Sequence, residues 1–161
     1  MSLTWFITGT SSGLGRIMTE RLLERGDRVA ATLRKVHLLD DLKAKYGDRL
    51  SVAALDVRDT PAVRKVVDSA FSALQRIDVI VNNAAYGLFG AAEEVSDDQI
   101  RDQIDTNLIG SIQIIRASLP HLRSQGAAVL FRFHRKADRS LIPISVCITR
   151  LNGESRASSR R

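Results

Sequence analysis

A glycine-rich segment separates the first apolar run of this 161-residue chain from its first amphipathic run. Residues 3–7 are apolar and β-prone, and residues 13–25 carry apolar side chains at helical spacing. Between them Gly9, Gly13 and Gly15 are spaced G-x-x-x-G-x-G. Glycines at a strand-to-helix turn let the backbone approach a phosphate, toward which the helix N-terminus directs its free N–H groups. The segment therefore predicts a dinucleotide-binding turn rather than a plain structural one.

Strands and helices continue to alternate along the chain. Further strands are predicted at residues 28–33, 50–55, 77–81 and 127–131, helices at 38–45 and 61–74, a helix capped by Ser96 near Asp97, and an amphipathic helix at 107–122. Strands separated by helices form parallel sheets through right-handed crossovers. The predicted fold class is α/β, a Rossmann-type doubly wound parallel sheet with helices on both faces, truncated after about five strands.

The net charge of +6 lies entirely at the end of the sequence. Residues 132–161 hold eight basic and two acidic side chains, whereas residues 1–131 are neutral. We therefore expect a nucleotide-binding domain at 1–131 and an irregular, basic, Arg- and Ser-rich tail at 132–161. The tail has no nucleic-acid-binding motif, so no nucleic-acid partner is expected. The single cysteine and the absence of a long apolar run favour a cytoplasmic protein without membrane contact. The three histidines lack metal-ligand spacing, so no metal site is expected.

The segment after the second predicted strand indicates which dinucleotide binds. A site for NAD usually places an acidic residue about 20 residues beyond the glycines, on the ribose hydroxyls. This chain has Arg34 and Lys35 there, and no acidic residue between Arg28 and Leu39. A guanidinium binds phosphate through two parallel hydrogen bonds. NADP(H) is therefore predicted over NAD(H); the alternative is that both cations are solvated loop charges.

Four motifs together resemble the short-chain dehydrogenase/reductase family over residues 3 to about 126. They are the glycine segment at residues 8–15, Asp56-Val57 after the third strand, Asn82-Asn83-Ala84-Ala85 after the fourth, and Asn107 in a later helix. Ala85 stands where the family has glycine. The resemblance implies hydride transfer between a nicotinamide and a small alcohol or carbonyl substrate.

The resemblance also assigns site residues. Asn107 would be catalytic, holding a water of the proton relay, and Asp56 would bind the adenine amino group. The implied cofactor-binding set is Thr8, Gly9, Ser11, Ser12, Gly13, Leu14, Gly15, Arg34, Asp56, Val57, Asn83, Ala84 and Ala85.

The remaining catalytic residues of the family are missing from this chain. In the family a Tyr-x-x-x-Lys pair supplies the acid/base and the lysine that lowers its pKa. After residue 126 there is no tyrosine, and the one lysine, Lys136, has Arg132 four residues before it. Asn107 is then the surviving member of the set. We expect an oxidoreductase by descent that lacks catalytic competence; the alternative is a non-catalytic NADP(H)-binding or regulatory domain.

A shifted reading frame would account for the composition of the tail. In the shifted frame each codon consists of the last base of one residue's codon and the first two bases of the next residue's codon. Across residues 146–154 such codons can encode Leu-Tyr-His-Ala-Thr-Lys-Trp-Gly. That string contains the missing Tyr-x-x-x-Lys. We therefore predict that the frame departs near residues 125–129 and leaves an unpaired apolar sheet edge; the alternative is that residues 127–161 are the true ending.

Two apolar features have alternative interpretations. Tyr86 and Phe89 either border a substrate pocket or pack their own loop. Apolar residues at helical spacing predict a side of the last helix that faces the core; they are Ile112, Ile115, Leu119 and Leu122. In the family the corresponding helix often forms a subunit interface, so a homo-oligomer is the alternative.

Overall fold

The computed structural model describes residues 2–132 and 149–152, and its strands all belong to one sheet. In chain order they are β1 (Thr4–Thr8), β2 (Arg28–Leu33), β3 (Leu50–Ala54), β4 (Val79–Asn82), β5 (Ala127–Arg132) and β6 (Thr149–Asn152). Their spatial order is β3-β2-β1-β4-β5-β6. The first five strands are parallel, and β6 is antiparallel to β5. The order reverses between β1 and β4, and ligands of doubly wound sheets bind beyond the carboxyl ends of strands at such a point.

The helices connect successive parallel strands, as the sequence predicts. They are α1 (Gly13–Glu24), α2 (Asp40–Tyr46), α3 (Thr60–Leu74), α4 (Asp97–Ile104) and α5 (Gly110–Ser124), with short 3₁₀ turns at Val36–Leu39 and Gly47–Arg49. A π-helical turn, Asp105–Ile109, joins α4 to α5. Among the described residues no helix is both long and apolar enough to span a membrane.

Local signals explain where two of the helices begin. The Ser96 side chain accepts from the N–H of Gln99, whose side chain accepts from the N–H of Ser96, which is a complete capping box. Asp59 caps α3 by accepting from Ala62 N at 3.0 Å, with Pro61 in the first turn. The sequence prediction of Ser96 as the N-cap is confirmed.

Each face of the sheet buries its own apolar cluster. Consecutive strand residues point to opposite faces, so Phe6 packs with α3 and α5 whereas Ile7 packs with α1 and α2. Ile80 and Val81 divide in the same way. Apolar runs in the central strands are thus buried on both sides, as a parallel sheet requires.

The buried side of α5 overlaps the predicted one in part. Ile112 is 39% exposed, and of the predicted series Leu122 alone is fully buried. The buried side consists mainly of small residues, which let α5 approach its neighbours closely: Gly110, Ser111, Ile114, Ser118 and Leu122. Ser118 tolerates burial because its hydroxyl donates to Ile114 O at 2.7 Å. Of the predicted series, Leu122 belongs to the core and Ile115 packs against it, whereas Ile112 lies outside the buried side.

A buried carboxylate fastens β1 where the sheet begins. The side chain of Asp27, 3% exposed, accepts from Leu3 N at 2.9 Å and from Trp5 Nε1 at 3.0 Å. It also forms an ion pair with Arg25. Burial of this charge is tolerated because two N–H groups and a guanidinium are paired with it.

Asp78 plays the same part on the other side of β1. Its carboxylate accepts from Thr4 N at 2.9 Å and from Arg76 Nε at 2.6 Å. Both pairs have the pattern Arg-x-Asp at the entry of a strand next to β1. We call this end of the sheet the amino edge, and the end where the parallel strands finish the carboxyl edge.

The described part of the tail adds to the sheet. From the sequence, residues 132–161 are expected to be irregular and the sheet to end after about five strands. Instead Thr149–Asn152 pairs with β5 as a sixth strand, with Ala127 opposite Asn152. The outer backbone groups of a fifth strand are unpaired, so a short segment can add to them. Lys136, Cys147 and most of the tail lie outside the described residues.

Candidate cofactor-binding site

A cleft of about 860 Å³ opens at the carboxyl edge. Of the predicted site residues, Thr8 and Asn107 do not line it, and all the others do. The cleft is lined by Gly9, Ser11, Ser12, Gly13, Leu14, Gly15, Leu33, Arg34, Leu55, Asp56, Val57, Arg58, Asn83, Ala84, Ala85, Tyr86, Asp102 and Thr106. The structure thus brings together residues from the ends of β1, β2, β3 and β4.

Two glycines are required by close contacts in the first turn. Gly9 has φ = +70°, and a Cβ there would lie 2.7 Å from Ala84 Cα. A Cβ on Gly15 would lie 2.3 Å from Gly9 O and 2.4 Å from Asn83 Nδ2. No side chain fits at either distance, so the turn folds back on itself as the motif predicts.

The N-terminus of α1 faces this cleft without a competing side chain. Ser12 is the N-cap residue, yet its side chain makes no capping hydrogen bond, and the first turn of α1 contains no acidic residue. A Cβ on Gly13 would meet nothing within 4 Å. Free N–H groups, the helix dipole and open space together suit a phosphate.

Thr8 and Asn83 hold the glycine turn in place through hydrogen bonds to the loop after β4. Thr8 is 1% exposed, and its Oγ1 accepts from Asn83 N at 3.1 Å and Ala84 N at 3.0 Å. Asn83 Nδ2 in turn donates to Thr8 O at 3.0 Å and Gly9 O at 2.9 Å. Thr8 therefore holds the loop after β4 against the glycine turn instead of lining the cleft.

The ends of β2 and β3 place charged groups side by side. Arg34 is exposed and lines the cleft, next to Asp56 at the end of the neighbouring strand. The guanidinium of Arg58, above all, holds the pKa of Asp56 below its ordinary value of 3.8, and the charge of Arg34 acts in the same direction. Asp56 is therefore ionised at neutral pH.

Arg58 links the end of β3 to α4. Its guanidinium donates to both carboxylate oxygens of Asp56, with Nη2 to Oδ2 at 2.8 Å, and its Nη1 donates to Asp102 Oδ1 at 2.9 Å. Neither Arg58 nor Asp102 is among the site residues predicted from the sequence. Arg58 lies two residues after a recognised motif residue, which is a usable signal, but nothing in the sequence ties it to a residue 44 positions away.

Asn107 lies in the π-helical turn and fixes the loop after β4. Its Oδ1 accepts from Tyr86 N at 3.0 Å, and its Nδ2 donates to Tyr86 O at 2.8 Å. Tyr86 lines the cleft, and Phe89 beyond it is 79% exposed. π-turns interrupt the regular hydrogen-bond ladder and often occur at functional sites. Asn107 thus shapes this end of the cleft through Tyr86 and does not line it.

Comparisons with known proteins match the same part of the chain. A family model described as short chain dehydrogenase matches residues 4–131. Oxidoreductase BOA17 of Botryotinia fuckeliana is 41% identical over 133 residues, which are 82% of this chain and 48% of that protein. The NADP-dependent 3-hydroxy acid dehydrogenase YdfG of Escherichia coli K12 is 36% identical over 115 residues, 71% of this chain and 46% of that protein.

A solved structure agrees with both. A short-chain dehydrogenase from Streptomyces avermitilis superposes with a TM-score of 0.78 at 36% identity, over 81% of this chain and 48% of that one. The chain spans about half the length of the curated relatives it matches. One family model thus covers all the parts of the site: the glycine turn, the Asn83 contacts that hold it and the parallel strands all lie within residues 4–131 or at their end. This chain belongs to the short-chain dehydrogenase family.

Proposed function

We propose that this chain binds NADP(H) in the cleft at the carboxyl edge, as the cofactor-binding half of a short-chain oxidoreductase. The observation that carries the proposal is the placement of Arg34 in a cleft whose glycine turn and helix N-terminus suit a diphosphate. Arg34 would bind the 2′-phosphate that distinguishes NADP(H). A relative whose name states NADP dependence, at 36% identity, supports this choice.

The residues of the cleft divide the work of binding. The amides at the start of α1 would hold the diphosphate, and Asp56 would accept from the adenine amino group. Asn107 would keep the loop carrying Ala85 and Tyr86 in place beside the nicotinamide, since it holds both backbone groups of Tyr86. The bound cofactor would supply or accept a hydride at a small alcohol or carbonyl substrate.

We propose further that the chain as it stands does not catalyse that transfer. A carbonyl oxygen needs a proton donor whose pKa is lowered by a neighbour. Tyr86 lines the cleft, but the position four residues later is Gly90, and the sequence has no tyrosine after residue 126. A non-catalytic or regulatory NADP(H)-binding domain is therefore the second candidate. The shifted reading frame of the tail stays a prediction.

Titration calorimetry with NADPH and NADH tests the cofactor assignment. We expect NADPH to bind more tightly, by about tenfold or more, because a charge-assisted hydrogen bond contributes about 1.5–3 kcal/mol. Arg34→Ala should remove most of this preference by weakening NADPH binding alone. Lys35→Ala is the matched control, since Lys35 is the adjacent exposed cation and does not line the cleft.

Two results would contradict the proposal. If NADH binds as tightly as NADPH to the unaltered chain, the assignment of the 2′-phosphate to Arg34 is wrong. If neither nucleotide binds a folded sample, the cleft is not a dinucleotide site.

A further inference from the structure

Arg58 surrounds one side of the Asp56 carboxylate with donors. The backbone N–H of Arg58 donates to Oδ1 at 3.0 Å, Nε donates to Oδ1 at 3.1 Å, and Nη2 donates to Oδ2 at 2.8 Å. A planar guanidinium that meets a carboxylate through two nitrogens fixes its plane as well as its position. The orientation of Asp56 is therefore set by Arg58.

Arg58 is itself held from the opposite direction. Its Nη1 donates to Asp102 Oδ1 at 2.9 Å, and Asp102 belongs to α4. Arg58, Asp56 and Asp102 all line the cleft. The guanidinium thus spans from the end of β3 to α4 along the wall of the cleft, with a carboxylate on each side.

This pair differs from the two Asp/Arg pairs at the amino edge. There each carboxylate also accepts a backbone N–H of the β1 region, and the side chains of Asp27 and Asp78 are 3% and 18% exposed. Asp56 is 31% exposed, and within the described part of the chain all hydrogen bonds to its carboxylate come from Arg58. Asp56 also lines the cleft, so its remaining acceptor capacity is open to a ligand, which a pair with a purely structural role would not need.

We infer that Arg58 is a positioning residue for cofactor recognition: it holds the Asp56 carboxylate in the orientation that accepts a hydrogen bond from the amino group of adenine. Asp102 holds Arg58 in turn, so that α4 contributes to the adenine pocket through this contact. The inference rests on the proposed function, because it assigns the adenine end of the same cleft.

The test compares NADPH with its reduced hypoxanthine analogue, in which a carbonyl oxygen replaces the adenine amino group. A carboxylate fixed toward that position repels the carbonyl oxygen and keeps an unpaired acceptor, so the unaltered chain should prefer NADPH by about tenfold or more. Dissociation constants from calorimetry give the ratio for each variant. A purely structural role of Arg58 would weaken both nucleotides alike and leave the ratio unchanged.

Three variants of the contact should lower the ratio to different degrees. Arg58→Leu should lower the NADPH preference from about tenfold to below about threefold. Without its fixed orientation the carboxylate loses one charge-assisted hydrogen bond to the amino group, and such a bond accounts for a factor of about ten or more. Arg58→Lys should retain part of it, since lysine keeps the charge but not the fork. Asp102→Asn should give an intermediate ratio. Arg101→Leu is the matched control: it removes an arginine paired with aspartates on α4 that does not line the cleft.

The outcomes separate the inference from the proposed function. If the unaltered chain binds neither nucleotide, the proposed function fails. If it prefers NADPH and Arg58→Leu keeps that preference, the inference fails although the proposed function stands. Circular dichroism checks the fold of every variant, and if Arg58→Leu does not fold, the ratios of Arg58→Lys and Asp102→Asn decide.

Discussion

The amino edge and the carboxyl edge of the parallel sheet both contain Asp/Arg pairs, but the pairs serve different purposes. At the amino edge, Asp27 and Asp78 each combine an arginine two residues earlier with a backbone N–H near the start of β1. At the carboxyl edge the order is reversed: Asp56 precedes Arg58, and the carboxylate faces an open cleft. The first arrangement satisfies every group internally, whereas the second leaves acceptor capacity for a ligand. An ion pair therefore indicates function only when its surroundings leave part of it unused.

The largest expected effect is on cofactor binding at the carboxyl edge. Gly15→Ala places a Cβ 2.3 Å from Gly9 O, so the turn must open. We expect a loss of NADPH affinity of about 100-fold, in line with the upper range of overpacking costs of 1–3 kcal/mol. Calorimetric titration measures it. Gly26→Ala is a control for backbone strain away from the cleft, because Gly26 has a positive φ (+94°), has open space around it and does not line the cleft. An unchanged affinity in Gly15→Ala would contradict the geometry of the turn.

The next effect is on stability at the amino edge. Asp27→Asn turns an amide NH₂ toward donors that the carboxylate satisfied, so the free energy of unfolding should fall by about 1–3 kcal/mol. Urea denaturation measures that loss. NADPH affinity should change by no more than roughly twofold, as for distant independent sites. Asp78→Asn should cost less, because Asp78 is 18% exposed and Asp27 is 3% exposed. A large loss of affinity with intact stability would show that the two edges are not separate.

A smaller effect concerns the pH dependence of stability. Burial by itself raises the pKa of Asp27, but the Leu3 N–H and the Arg25 guanidinium lower it more, so the pKa lies below 3.8. The pKa of Asp56 is also lowered, chiefly by Arg58. A carboxyl whose pKa is lower in the folded state stabilises it above the unfolded-state pKa, and this stabilisation is lost as pH falls toward the folded-state pKa.

The free energy of unfolding should therefore decline as pH is lowered from about 5 to below 3. Denaturation at a series of pH values should show a shallower decline in Asp27→Asn than in the unaltered chain. Asp56→Asn should flatten the curve less, because solvent screens its partly exposed ion pair with Arg58. Equal flattening in both variants would mean that the two edges are equally protected from solvent.

Sequence alone predicts the fold where the determinants are local. The glycine spacing, the Ser96 cap and Pro61 in the first turn of α3 each act within a few residues, and the structure has the corresponding turn and helices. The strand at residues 28–33 is predicted with its actual bounds. The strand order then follows from the general rules for parallel sheets.

The features that were missed depend on contacts between distant parts of the chain. Arg58 acquires its place from Asp102, and Thr8 is buried because the loop after β4 folds over it. Ile112 is exposed because α5 approaches its neighbours through Gly110 and Ser118, which no count of apolar residues favours. Contacts between residues far apart in the chain cannot be predicted from residue spacing or composition.

The π-turn at Asp105–Ile109 has a consequence for insertions and deletions in related sequences. A π-turn holds about one residue more than an α-turn, so removing one residue from Asp105–Ile109 would restore regular α-helical winding with little rotation of α4 against α5. Asp102 could then stay beside Arg58, whereas the contact between Asn107 and Tyr86, which is made from within the π-turn, would be altered. A homologue one residue shorter here should therefore keep the Arg58–Asp102 pair and carry compensating changes at Asn107 and Tyr86.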